Sequence, residues 1–215
     1  MILPLLAATI LAQQSMPPGS VVLELFEGED VIGTVDFGYR LDQAGNRFSV
    51  VLTNVDTDEE HFSMRETYRH DKSGKLIQSQ RRTNIDGKVA SIAVTYGGTE
   101  LTVERNWGDE IETNTVVYAD PPQSLVDPSV FWFVRDTPKR GERIKSWTYQ
   151  PISGQWVERV VTYHGQVDVK HHEETIKAHR VTVGDEVTMY LDDKGMPWRV
   201  TERRNKRSIK LVRKQ

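Results

Sequence analysis

The stretch VIGTVDFGYR, residues 31–40, decides the fold class because its apolar side chains return at every second position. Val35, Phe37 and Tyr39 share one parity, whereas polar side chains such as Thr34 and Asp36 take the other. Successive side chains of a β-strand point to opposite faces, so this period of two predicts a strand with one buried and one solvated face. The same alternation predicts strands near residues 21–27, 47–55, 62–69, 88–96, 99–105, 111–118, 144–150, 156–163, 175–183, 186–191, 197–204 and 208–213.

Short turn signals separate these predicted strands, for example Ala44-Gly45-Asn46, Asp86-Gly87 and Asp193-Lys194-Gly195. Gly takes the positive φ that tight turns need, and Asp accepts hydrogen bonds from the turn amides. Connections of this length join antiparallel neighbours. The sequence therefore predicts a mainly β protein whose antiparallel meander forms a curved sheet or an unclosed β-barrel.

One segment interrupts this pattern and predicts a single short helix over residues 128–135. Asp127 suits an N-cap and Pro128 the first helical turn, while Pro138 and Gly141 follow the apolar run SVFWFV. The run is apolar on nearly every side, so we expect the helix to plug the concave side of the sheet. It would separate two β halves, 20–119 and 142–214, of one domain spanning residues 16–215.

The N-terminal segment MILPLLAATILAQQS, residues 1–15, contains an uncharged apolar run from Ile2 to Ala12. This run is too short for a transmembrane helix and is typical of a secretory signal peptide, with an uncleaved anchor or a buried N-terminal segment as alternatives. The chain contains no cysteine, which excludes disulfides and a lipid-modified N-terminal Cys. We therefore expect an exported bacterial protein, periplasmic or extracellular, that is not a lipoprotein.

The charge is distributed unevenly along the chain. Residues 1–120 carry 10 Lys and Arg against 19 Asp and Glu, whereas residues 121–215 carry 18 against 12. The candidates for contact with anionic groups are Arg199, Arg203, Arg204, Lys210 and Arg213. Their alternation with apolar residues favours a solvated strand face that blocks edge pairing, and contact with a membrane surface is the alternative. No nucleic-acid partner is expected.

The sequence contains no recognisable catalytic or metal-binding pattern, and we therefore predict no catalytic residue, no metal site and no cofactor. The chain lacks GxSxG, phosphate-loop and GxGxxG motifs. His171, His172 and His179 lie close in sequence, but neighbouring strand residues point to opposite faces, which disfavours a shared metal ion. A hairpin that brings His179 opposite His171 or His172 would still permit metal binding by that pair. Asp192 and Asp193 are interpreted as part of a hairpin turn.

Large aromatic residues concentrate in the second half of the chain. Core packing explains most buried aromatics, and an apolar cavity beneath a curved sheet is the functional alternative. The candidates for the lining of such a cavity are Phe131, Trp132, Trp147, Trp156, Tyr163 and Trp198.

The order VFWFVRDTPKRGERIKSW, QWVERVVTYHGQV, AHRV, VTMYLDDKGMPWRVTERR and SIKLVR, within residues 128–213, resembles uncharacterised secreted bacterial proteins similar to periplasmic lipoprotein carriers. That resemblance implies an unclosed antiparallel β-barrel with a helical lid and a hydrophobic cavity able to hold an acyl chain. It brings no catalytic residues, and this chain lacks the lipobox cysteine.

The sequence thus favours an exported, non-enzymatic protein that binds a hydrophobic ligand or lipid on the concave face of an open β-barrel. One alternative is an envelope protein–protein interaction module that pairs through exposed strand edges and holds no ligand. The other is a hydrolase that uses His171, His172 or His179.

Overall fold

The computed structural model describes residues 16–17, 19–58, 61–108, 110–117, 136–204 and 207–214, without the side chains of Arg204 and Arg207. The strands within these residues are β1 (Val21–Glu27), β2 (Asp30–Leu41), β3 (Arg47–Asp56), β4 (His61–His70), β5 (Leu76–Ile85), β6 (Lys88–Tyr96), β7 (Glu100–Trp107), β8 (Glu110–Val117), β9 (Arg143–Gln150), β10 (Gln155–His171), β11 (Glu174–Val183), β12 (Val187–Leu191), β13 (Pro197–Arg204) and β14 (Arg207–Arg213). The predicted mainly β class is confirmed.

These strands form one antiparallel sheet in the order β8-β7-β6-β5-β4-β3-β2-β1-β14-β13-β12-β11-β10-β9. Within β1–β8 and within β9–β14, each strand pairs with its neighbours in sequence, and the pairing of β1 with β14 joins these two meanders. The two ends of the sheet are β8 and β9, and no backbone pairing joins them within the described part of the chain. The result is the predicted unclosed, curved sheet.

Three hairpin turns at one end of the sheet share the pattern Asp-x-x-Gly. Asp42, Asp71 and Asp192 open these turns, and each carboxylate accepts hydrogen bonds of 2.8–3.0 Å from two later backbone N–H groups. The glycine three residues on has a φ of 81–87° in all three turns, a conformation that favours Gly. The last of the turns corrects one detail of the sequence interpretation: Asp192, rather than Asp193, caps the turn amides.

The inner face of the sheet is the face that carries Leu23 and Val35, which lie directly opposite each other in β1 and β2. A first cluster contains Leu76, Ile92, Val94, Tyr96, Leu101, Val103 and Tyr149. A second cluster contains Val161, Tyr163, Val181, Met189 and Leu191. Each fully buried aliphatic side chain in such clusters stabilises the fold by roughly 1.5–3 kcal/mol.

The β9–β10 hairpin contributes to both clusters through opposite faces. Ile144 lies directly opposite Val161 and packs against the second cluster, whereas Tyr149 lies directly opposite Trp156 and packs with the first. Five residues separate the two positions in each strand, so the two pairs point to opposite sides. The tip of the hairpin therefore lies against the inner face of β5–β7. The Arg105 guanidinium reinforces this contact by donating from Nη2 to the Pro151 carbonyl at 2.6 Å.

The chain before β1 crosses the outer face of the sheet. At Gly38, an added Cβ would overlap the Ser20 hydroxyl oxygen and lie 3.2 Å from Pro17 Cδ, so this crossing requires a residue without a side chain. The predicted signal peptide, 1–15, and the predicted helix, 128–135, lie outside the described residues. Within the described part of the chain, no helix is long and apolar enough to cross a membrane.

Candidate functional site

Between the two buried clusters in the sheet order, the inner face of β2–β4 carries apolar side chains that are not fully buried, and we call this strip of the curved sheet the inner trough. Phe37 lies directly opposite Val51, and Met64 shares their face on the next strand. All three apolar side chains are only partly buried, in contrast to Leu23 and Val35 beside them. Apolar side chains that point inward without being fully buried are the feature expected of a surface that receives an apolar ligand.

Polar groups lie along one side of this inner trough. Glu66, directly opposite Val51, accepts hydrogen bonds on Oε1 from Arg81 Nε at 2.8 Å and Arg81 Nη2 at 2.7 Å. Ser49 lies directly opposite both Tyr39 and Tyr68. The residue is 5% exposed, and its Oγ has no hydrogen-bond partner within the described chain. A buried hydroxyl of this kind costs about 1–3 kcal/mol and is satisfied when a ligand or water atom reaches it.

The turn at residues 192–195 connects several elements at one end of the trough. The Tyr39 hydroxyl donates to the Lys194 carbonyl at 3.0 Å, which joins β2 to this turn. Burial raises the pKa of the Tyr39 phenol, and the Asp192 carboxylate raises it further. The phenol therefore stays protonated and available as a donor.

Asp193 belongs to a series of side chains that the sequence did not connect. The Tyr163 hydroxyl lies 2.8 Å from His179 Nδ1, and His179 Nε2 lies 2.9 Å from Asp193 Oδ1. Burial and then the Asp193 carboxylate raise the pKa of Tyr163. The Tyr163 phenol is thus held protonated, whereas a hydrolase activates a serine or cysteine as its nucleophile. His179 has the carboxylate neighbour that the hydrolase alternative needs, but the hydroxyl in reach is this phenol.

His171 and His172 lie at the tip of the β10–β11 hairpin. The strand ends at His171, and His172 has a φ of 51°, so the two rings contact each other with centroids 4.4 Å apart instead of pointing to opposite faces. The His171 ring also lies 5.0 Å from the ring of Trp198. Among the described residues, no group of three or more His, Asp or Glu side chains is arranged to hold a metal ion.

The four predicted cavity residues that the structure describes lie in separate places. Trp156 lies with Tyr149 and Tyr96 in the first cluster, at centroid distances of 5.4 and 6.3 Å, whereas Tyr163 belongs to the second cluster. Trp198 lies beneath the Arg213 guanidinium, and Trp147 is partly buried on β9. Phe131 and Trp132 lie outside the described residues. The residues of the inner trough carried no signal in the sequence beyond ordinary strand alternation.

The predicted anion-contact residues lie on both faces of the sheet. Thr201 lies directly opposite Lys210, so Arg199, Arg203 and Lys210 share the outer face. Arg213 points to the inner face, where it contacts Trp198 and Asp192. Its charge is therefore engaged within the fold. The side chain of Arg204 is outside the described set.

Comparisons with known proteins support the fold alone. No family model matches the sequence, and no curated protein shows significant similarity to it. A crystal structure of a β-barrel-like protein from Brucella abortus, a domain of unknown function called DUF1849, superposes with a TM-score of 0.63 at 12% identity. That match covers 91% of this chain and 95% of the Brucella chain. The fold is β-barrel-like.

A second solved structure, a DUF1089 family protein from Pseudomonas aeruginosa, is more distant. It gives a TM-score of 0.39 at 14% identity and covers 86% of this chain and 90% of its own.

Proposed function

We propose that this chain is an exported, non-enzymatic protein that binds an amphipathic ligand with an acyl-like apolar part in the inner trough. The observation that carries the proposal is the row of partly buried apolar side chains, Phe37, Val51 and Met64, between two filled clusters. An apolar ligand gains about 25 cal/mol for each Å² of apolar surface that such side chains remove from water.

The polar side of the trough favours a ligand with a polar head. The unpartnered Ser49 hydroxyl offers a hydrogen bond, and the Glu66–Arg81 pair lies beside the apolar row. A ligand whose polar group reaches Ser49 removes the cost of leaving that hydroxyl unsatisfied. A plain hydrocarbon fills the same apolar surface without this gain.

Export and carriage are supported by the sequence. The apolar run from Ile2 to Ala12 is typical of a signal peptide. Periplasmic lipoprotein carriers, which the second half of the chain resembles, hold acyl chains within unclosed barrels. The proposal therefore places the ligand on the concave side of this sheet.

The first experiment is native mass spectrometry of protein purified from its own host, together with titration by a fluorescent fatty-acid analogue. We expect a co-purified lipid mass and saturable probe binding. Val51→Glu should abolish probe binding because it places a charge in the trough, whereas Ile111→Glu, at a position 64% exposed, should leave binding intact. A clean apo mass with no probe binding would refute the proposal.

Ser49→Ala provides a second test that does not endanger folding. Removing a buried, unpartnered hydroxyl should leave the free energy of unfolding unchanged or slightly raised. The variant should bind a fatty acid less tightly than wild type but a hydrocarbon probe equally well. Equal loss of both ligands would show that Ser49 does not contact a polar head.

A second candidate function is pairing with another protein through the edge of β8. Seven of the eight residues of β8 are exposed, and its free side pairs with no strand in the described chain. An extended partner segment can add a strand to such an edge. Thr115→Pro, on this edge, should remove a partner trapped by crosslinking in envelope extracts, and a wild-type protein that traps none would count against this function.

A further inference from the structure

The outer face of β11–β14 carries a set of cations that we call the outer basic face: Arg180, Arg199, Arg203 and Lys210. Arg180 and Arg199 lie directly opposite Tyr190 from its two sides, so the three residues form a row across β11, β12 and β13. The Arg199 guanidinium lies over the Tyr190 ring, with Cζ 4.4 Å from the ring centroid. Lys210 likewise lies over the Phe26 ring at 5.1 Å.

Further basic side chains lie at the β10 end of this face. His164 contacts Thr182 across the strand pair, with 3.0 Å between Nε2 and Oγ1. The aliphatic part of Arg140 lies against Gly165, 3.6 Å from the position that a Cβ would take. Burial lowers the pKa of His164, and the charges of Arg180, Arg140 and Arg143 lower it further. The positive charges are therefore close enough to act on one another.

These cations are not neutralised within the described chain. None of the four residues of the outer basic face forms an ion pair with a described carboxylate, and the Nε atoms of Arg180 and Arg199 are buried without a hydrogen-bond partner. Glu24 on β1 lies in the same cross-strand row as Arg199, and its Oε1 lies 3.8 Å from Lys214 Nζ. Guanidinium groups without a paired carboxylate favour an external oxyanion.

We propose that the outer basic face docks onto an anionic lipid bilayer and contacts its phosphate headgroups. Arg180 and Lys210 are three strands apart, about 14 Å, which is wider than one phosphate ion and suits a plane of many. Tyr190, beneath Arg199, is an aromatic residue of the type enriched at the membrane–water interface, and Phe26, beneath Lys210, is of the type that interfacial segments bury there. This inference rests on the proposed function, since a carrier of an acyl ligand must meet the membrane that supplies or receives it.

The test is co-sedimentation with vesicles of phosphatidylcholine alone and of phosphatidylcholine mixed with phosphatidylglycerol. We expect wild type to bind the mixed vesicles, more weakly at high salt, and to leave the neutral ones unbound. Arg180→Gln with Arg199→Gln should weaken this binding by about tenfold or more. The matched control is Arg69→Gln with Arg82→Gln, two exposed arginines of the first half, and it should bind like wild type.

Other outcomes would overturn the inference. Equal binding to neutral vesicles, equal loss in the control, or tighter binding to a DNA duplex than to mixed vesicles at the same salt would each do so. If the Arg180/Arg199 variant does not fold, Arg203→Gln with Lys210→Gln, both exposed, gives the same test. Fatty-acid probe titration without vesicles separates the two proposals, because failed vesicle binding with intact probe binding rejects only the docking face.

Discussion

The Arg213 guanidinium stacks on Trp198, with Cζ 3.8 Å from the ring centroid, and donates from Nη2 to Asp192 Oδ2 at 2.9 Å. It also donates to the backbone carbonyls of Pro197 at 2.8 Å and Met196 at 2.8 Å. The Arg213 and Asp192 side chains are 13% and 23% exposed. Arg213, near the end of β14, thus holds the turn at residues 192–195. The same turn also contacts Tyr39 through the Lys194 carbonyl and His179 through Asp193.

Arg213→Gln should lower the free energy of unfolding by about 3 kcal/mol, because it leaves the mostly buried Asp192 carboxylate without its cation. Urea denaturation followed by tryptophan fluorescence measures this loss. Lys214→Gln is the matched control, since Lys214 is 46% exposed and lies 3.8 Å from Glu24, and it should cost about 0.5 kcal/mol or less. Equal effects of the two changes would contradict the structural role of Arg213.

Trp156→Ala should destabilise the protein by about 3–5 kcal/mol, because it removes the ring that fixes the β9–β10 tip against β6. The same unfolding experiment with Trp107→Ala, at a position 53% exposed, should show a change within about 0.5 kcal/mol. A double-mutant cycle between Tyr96 and Trp156 should give a coupling of about 0.5–1.5 kcal/mol. No coupling would show that the hairpin tip does not rest on β6.

Gly33→Ala should destabilise by about 2 kcal/mol or more, because an added Cβ would overlap the Asn54 carbonyl oxygen and lie 3.0 Å from Val55 Cα. These are backbone atoms of the paired strand β3, which cannot rotate away. Gly98→Ala, where nothing lies within 4 Å of the added Cβ, is the control. Thermal unfolding compares the two, and a tolerated Gly33→Ala would mean that β2 and β3 shift their register.

Most strands could be predicted from alternation, and the exceptions have physical causes. Alternation predicts residues 31–40 for the strand Asp30–Leu41, and residues 144–150 for the strand Arg143–Gln150. Alternation does not reveal β5 because the inner-face residues between its two ends, Ser79, Arg81 and Thr83, are polar, and Arg81 pairs with Glu66 instead of packing into a core. β10 extends to His171, beyond the predicted end near residue 163. Alternation ends early because the pairing shifts register around Gly165, whose φ is 85°.

The inner trough is harder to predict because it depends on how the sheet curves. Tyr149 and Trp156 serve one cluster while Ile144 and Val161, five positions away, serve another, so alternation within a strand cannot assign one buried face to the hairpin. The sequence indicates only that Asp192 and Asp193 belong to a turn. The contact of Asp193 with His179, 14 positions earlier, follows from the β11–β12 pairing, which the sequence predicts only as a hairpin.

His164→Gln should flatten the dependence of stability on pH between about pH 7 and pH 5. Burial, and then Arg180, Arg140 and Arg143, lower the pKa of His164 from its ordinary value of 6.5. The unfolded chain therefore binds more protons than the folded chain below about pH 6.5, and the free energy of unfolding falls as the pH drops through this range. The measurement is a series of urea titrations across that range.

Thr182→Val is the control for this prediction, since it removes the hydroxyl 3.0 Å from His164 Nε2 while the imidazole remains. It should lower stability at every pH and keep a slope close to that of wild type. The pKa of His171 is also lowered, by burial and then by His172 and Arg213, so adding His171→Gln to His164→Gln should flatten the curve further. A slope unchanged by His164→Gln would show that His164 is not held neutral by the basic residues around it.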